Sequence, residues 1–115
     1  MPGKLRIINL EANRPTVDEM NRRLALELRN AKNARVQILK LIHGYGSTGV
    51  GGKLRGAVRV TLEHSKKRGE VRDFVQGDDF RISNEVTWAM LKLYPELKQD
   101  SDLGRENRGI TMVIL

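Results

Sequence analysis

Apolar and polar positions along the chain change period several times, and each change marks an element. Lys4–Leu10 (KLRIINL) alternates early and is rich in β-branched residues, which predicts a strand. Pro15 and Thr16 then open a helix. Thr16 and Glu19 have the spacing of a capping box, with a threonine N-cap and an acid at the third helical position. Val17, Met20, Leu24, Leu28 and Ala31 step by three or four residues and form one apolar face. Arg22, Arg23, Glu27 and Arg29 form the wet one, and Asn30–Asn33 closes the helix. Val36–Ile42 (VQILKLI) predicts a second strand. His43–Gly52 (HGYGSTGVGG) is a glycine-rich turn, with glycine at 44, 46, 49, 51 and 52. A second helix follows, burying Leu54, Ala57, Val58, Thr61 and Leu62. It ends in Lys66-Lys67-Arg68 and Gly69, a pattern suited to a helix C-terminus.

Val71–Gln76 predicts the third strand, and Gly77–Phe80 turns the chain. Ser83 is placed to cap a third helix of about Asn84–Tyr94, stopped by Pro95. Its expected core face is Val86, Ala89, Met90 and Leu93. Trp88 and Leu91 lie off that face, covering a sheet edge or loop, or forming a protein interface. Gln99–Arg108 is polar and irregular. Ile110–Leu115 (ITMVIL) is continuously apolar, as expected of a buried final strand.

The order is β-α-β-α-β-(α)-β. Helices that follow strands imply parallel neighbours joined by right-handed crossovers, with the first two helices on one face. The expected fold is an α/β two-layer sandwich: a four-stranded mixed sheet with two helices on one face, plus one extra helix between the last two strands. The length of 115 residues fits one domain, 1–115, with 77–108 as an insertion. No repeat, linker or low-complexity tract interrupts it.

Charge and composition narrow the chemistry. There is no cysteine and there are two histidines, which excludes disulfides and thiolate metal sites and disfavours structural zinc. No run approaches the length of a membrane span, and the N-terminus does not read as a secretory signal, so a cytoplasmic location is expected. Net charge is +7, unevenly spread. Residues 1–76 carry 16 Lys/Arg against 7 Asp/Glu, whereas residues 77–115 carry 5 against 7. A positive field concentrated in this way attracts polyanions.

The glycine turn lies between a strand and a helix, an arrangement that collects backbone N–H groups around an anion. A helix N-terminus adds about half a positive charge, and its first amides lack internal partners. Glycine permits the close backbone approach a phosphate needs. Lys53 and Arg55 add formal charge in the first helical turn, where cations oppose the helix dipole unless an anion binds. Two nucleotide loops are near matches and both fail. Gly44-Tyr45-Gly46-Ser47-Thr48-Gly49 fits GxGxxG, but it follows the second strand and lacks an acid at the end of the next one. A P-loop would need glycine at 47 and Ser or Thr at 54, where Ser47 and Leu54 stand.

His43-Gly44-Tyr45-Gly46, followed by Gly49, Gly51-Gly52-Lys53-Leu54-Arg55 and Ala57-Val58-Arg59, resembles the Smr (small MutS-related) domain. That family has an HGxG motif leading through a glycine loop into a helix that begins with a Leu-Arg pair. Pro15–Met20 is similar to its first helix start, and Gly109–Leu115 to its last strand. The resemblance implies a βαβαββ sandwich that binds DNA or RNA, acting in DNA repair, recombination or RNA handling. In many members it also implies a nicking endonuclease. The implied nucleic-acid contacts are Gly44, Tyr45, Gly46, Ser47, Thr48, Gly49, Gly51, Gly52, Lys53, Arg55 and Arg59. The family's LDxH motif reads Ile8-Asn9-Leu10-Glu11 here, with Asn9 at the Asp position and Glu11 at the His position. Binding is therefore the first expectation and phosphodiester hydrolysis the alternative. For hydrolysis the candidates are His43 as proton carrier, Glu11 as base or Mg²⁺ ligand, and Asn9 to orient it. Binding alone calls for no cofactor. Each residue also has a structural use: His43 could hydrogen-bond the loop, Glu11 could be a solvated carboxylate, and Tyr45 could brace the loop or stack on a base. Lys66, Lys67, Arg68 and Arg72 extend the basic path only if they share its surface; otherwise they serve the helix end. His64 is expected to be exposed.

Overall fold

The apolar spacing resolves into four strands and three α-helices among the described residues. They are β1 (Leu5–Asn9), α1 (Val17–Asn33), β2 (Ile38–Ile42), α2 (Val50–Lys67), β3 (Asp73–Gln76), α3 (Glu85–Leu93) and β4 (Ile110–Ile114). The computed structural model describes residues 4–45 and 50–115, so Gly46, Ser47, Thr48 and Gly49 of the glycine turn lie outside the described residues.

Local chemistry explains the helix ends. The Thr16 hydroxyl accepts the Glu19 N–H at 3.1 Å, and the Glu19 carboxylate accepts the Thr16 N–H at 3.0 Å, so the capping box is complete. Such caps stabilise by about 1 kcal/mol. At the C-terminus of α2, Gly69 adopts φ +76°, and the Glu70 N–H reaches back to the Ser65 carbonyl at 2.9 Å. The cap of α3 is Asn84 and not Ser83: its Oδ1 accepts the N–H groups of both Val86 and Thr87. Gly51 and Gly52, expected within the glycine turn, fall inside α2.

The sheet order is β1-β2-β4-β3. β1 and β2 are parallel, as expected for strands joined by a crossover helix. β2 and β3 run the same way but are not neighbours, because β4 enters between them antiparallel to both. The sheet is therefore mixed, as expected, but β2 and β3 are not the adjacent pair that their crossover helix implied. β4 is buried at all five positions, and its unbroken apolar run suits a central strand covered on both faces.

Side-chain alternation assigns the faces. On one, Ile8, Leu39, Leu41 and Val113 pack against Met20, Leu24, Leu28 and Ala31 of α1 and Leu54, Val58 and Leu62 of α2. On the other, Ile38, Val75, Ile110, Met112 and Ile114 pack against Phe80, Met90, Leu91 and Leu97. The segment 77–108 thus covers the second face. Its helix presents Thr87, Met90 and Leu91 to the sheet, a rotation from the expected face: Ala89 is exposed and Leu91 buried. Trp88 remains exposed, with the Lys92 ammonium 5.8 Å from its ring centre. No helix among the described residues is long and apolar enough to cross a membrane.

A charged residue sits within this second core. Lys40, on β2 between Ile38 and Ile42, is buried and bonds the Asp100 carboxylate at 2.9 and 3.1 Å and Asp102 as well. Burial alone would lower its pKa, but the two carboxylates outweigh that and raise it above 10.5. This ion triad ties the irregular segment after α3 to the middle of the sheet.

Candidate nucleic-acid interface

Parallel pairing of β1 with β2 brings Asn9, Glu11 and His43 to one edge, where both strands end. They share the edge but not a face. Asn9 pairs in register with Ile42, which faces the α3 side, so the next residue, His43, turns towards α1 and α2. Asn9 accepts the Glu11 backbone N–H at 3.0 Å, a local turn contact. Glu11 itself is exposed.

His43 has no solvent exposure, and both of its ring nitrogens are engaged. Nδ1 lies 2.6 Å from the Gly44 carbonyl and Nε2 lies 2.8 Å from the Thr111 hydroxyl. A carbonyl can only accept, so Nδ1 carries the proton and Nε2 accepts from Thr111. Burial pushes the His43 pKa below 6.5; the Gly44 carbonyl and Glu11 oppose this, and the Arg55 cation adds to it. The ring is neutral at pH 7 and links the end of β2 to β4. The backbone N–H groups of His43 and Gly44 both donate to the Gly109 carbonyl, at 2.9 and 3.0 Å. Gly44 adopts φ +73°, a conformation suited to glycine. His43 therefore fixes where Tyr45 leaves the sheet. Among the described residues no group of three or more His, Cys, Asp or Glu could hold a metal ion.

The basic residues meet on α2. Gly52, Arg55, Gly56 and Arg59 follow one helical stripe, at spacings of three and four residues. With Tyr45, Gln76 and Arg108 they line a cavity of about 330 Å³. Arg55 is the anchored member: its Nη2 bonds both Asp78 oxygens at 3.0 Å and Gln76 at 3.3 Å. Arg59 and Arg108 are exposed and form no ion pair among the described residues. Lys53 is exposed on α2 but is not part of this lining.

The glycines of this stripe are not required by packing. Among the described residues, a Cβ added to Gly56 would meet nothing within 4 Å, and one added to Gly52 would meet only the Tyr45 carbonyl, at 3.5 Å. Glycine inside a helix costs roughly 0.5–1 kcal/mol relative to alanine. The fold bears that cost at Gly56 with no contact in return, which leaves an open floor between two arginines.

Sequence reasoning found Gly52, Arg55 and Arg59 but not Gly56, Gln76 or Arg108. Gly56 was legible as the residue four after Gly52. Arg108 and Gln76 reach the cavity only because β4 inserts beside β3. The distal basic run behaves as helix-end chemistry: Lys66 pairs with Asp73 at 3.0 Å and Arg68 pairs with Glu70, while His64 is exposed.

No protein-family model and no curated protein matches the chain. Among solved structures it is similar to the Smr domain of Thermus thermophilus MutS2, at 22% identity and a TM-score of 0.56, over 97% of this chain and 96% of that one. The chain has the Smr-domain fold. His43 and Gly44 directly follow β2, and α2 begins at Val50.

Proposed function

We propose that this Smr-like domain binds the phosphate backbone of nucleic acid, DNA or RNA, through the α2 stripe, in repair, recombination or RNA handling. The observation that carries the reading is the cavity in which Gly52 and Gly56 leave space between Arg55, Arg59 and Arg108, with Tyr45 at its margin. Arg59 and Arg108 supply exposed cationic contacts. Arg55, held by Asp78, supplies a fixed one of partly compensated charge. Lys53 adds charge beside the stripe. Gly44, Gly51 and the undescribed Gly46, Ser47, Thr48 and Gly49 belong to the proposal as the segment that leads into it. His43 acts in this reading as a positioning residue that holds Gly44 and Tyr45, and binding needs no proton transfer from it.

The test is the salt dependence of binding to a single-stranded oligonucleotide. Affinity should fall linearly on a log–log plot. The Arg59→Ala/Arg108→Ala double variant should bind more weakly, with a slope smaller by about 1.4, because each neutralised phosphate on a single strand contributes about 0.7. Binding that ignores salt, or a double variant with an unchanged slope, would refute the proposal.

A further inference from the structure

Tyr45 also borders a second cavity of about 490 Å³ on the opposite side, of different chemistry. Its apolar part is Ile7, Ile42 and Ile110: Ile110 is buried and Ile42 half-buried, while Ile7, towards the end of β1, is left exposed. Ile7 is 59% exposed and Tyr45 58%, so two large side chains face solvent at one mouth. The polar part carries the carboxylates Glu11 and Asp102 and the amide of Asn107. Lys40 also lines the cavity, but its charge is taken up by Asp100 and Asp102. Two carboxylates repel a phosphate, whereas the cationic cavity across Tyr45 attracts one. A ligand that spans both must have an anionic backbone and a flat, neutral, apolar-faced side group able to donate hydrogen bonds.

We infer that the second cavity receives an unstacked nucleobase bearing an amino group, from a single strand whose backbone lies on the α2 stripe. This deepens the proposed backbone binding and rests on it. The base passes over Tyr45, which stacks on it, and rests against Ile7 and Ile42. Glu11 accepts from its exocyclic amino group. Adenine, cytosine and guanine carry such a group, and thymine and uracil do not. The carboxylate at position 11 thereby has a use that hydrolysis does not require. The cavity volume lies within the range of small-molecule sites, about 300–1,000 Å³.

The experiment compares three hexamers by fluorescence anisotropy at low salt: deoxycytidine, thymidine and abasic deoxyribose phosphate. Deoxycytidine should bind about tenfold more tightly than the abasic strand, the size of effect that one base–aromatic stack supplies. It should also bind several-fold more tightly than thymidine. Tyr45→Ala should bring deoxycytidine down to the abasic level, and Tyr45→Phe should retain the difference. Glu11→Ala should abolish the preference for deoxycytidine over thymidine. All Tyr45 and Glu11 variants should keep the wild-type salt slope. Equal, salt-dependent binding of all three strands would overturn the base cavity and leave backbone binding standing. Absence of salt-dependent binding to any strand would overturn both.

Discussion

Lys40→Met is expected to destabilise the fold by about 3–5 kcal/mol, although it places an apolar side chain among apolar neighbours. The reason is what it leaves behind. The Lys40 and Asp100 side chains are each 9% exposed and the Asp102 side chain 20%, so removing the ammonium strands two carboxylates with little access to water. Breaking a buried pair from one side carries a penalty of that size. Adding Asp100→Asn and Asp102→Asn should recover much of the loss. Acid unfolding gives a second readout. Burial raises the Asp102 pKa, but hydrogen bonds from Lys40 and Asn107 and the Lys40 charge outweigh it and hold the carboxyl below 3.8. Its contribution is therefore present above pH 3.8 and is lost as pH falls through the lower, folded value. The Lys40 contribution has the opposite sense: it persists below pH 10.5 and fades as pH rises through its raised value. Urea midpoints measured across pH should show both arms in the wild type and neither in Lys40→Met. An unchanged midpoint at neutral pH would contradict the role given to the triad.

Gly77→Ala should be comparably damaging, by about 3 kcal/mol, through sterics alone. A Cβ at this buried position would stand 1.8 Å from the Asn107 carbonyl oxygen, 2.6 Å from Ile110 Cγ1 and 2.9 Å from the Asn107 carbonyl carbon. Two of these are backbone atoms, so no rotamer change relieves the clash. The stretch from Asn107 to Ile110 would have to move. It carries Arg108 and the Gly109 carbonyl that receives the N–H groups of His43 and Gly44. A urea midpoint lower by about 1–2 M is expected, together with weaker oligonucleotide binding by whatever fraction remains folded. A wild-type midpoint would show that this approach of β3 to the β4 entry is not as close as described.

Much of this was legible from residue pattern. The capping box at Thr16 and the α1 stripe are local signals, and they correspond to the observed helix. The HGxG segment and the Leu-Arg helix start pointed to the fold that the solved Smr domain shares. Strand order was not legible, because pairing is set by long-range packing. The clue was that Ile110–Ile114 has no polar face, which requires cover on both sides and hence a central place. The face of α3 was misread because Thr87 is buried with its hydroxyl bonded to the Asp79 carbonyl at 3.3 Å, so a polar residue stands where the pattern sought an apolar one. The Lys40 triad escaped notice because its carboxylates lie sixty and more residues away, in a stretch that reads as irregular. At the candidate site, sequence spacing gathered Asn9, Glu11 and His43 at one edge. Only the alternation of side chains showed that they diverge, with His43 buried among its own hydrogen bonds and Glu11 on another cavity.

If the α2 stripe is kept smooth for a ligand and not for packing, Gly56→Ala should separate stability from binding. Alanine fits the open space and improves helix propensity, so the variant should be more stable by about 0.5–1 kcal/mol in urea unfolding. The same methyl group would stand between Arg55 and Arg59 and hold a phosphate backbone off the helix, so single-strand affinity should fall several-fold. Stability and binding should thus move in opposite directions. A Gly56→Ala protein that gains stability and binds as tightly as the wild type would contradict the account.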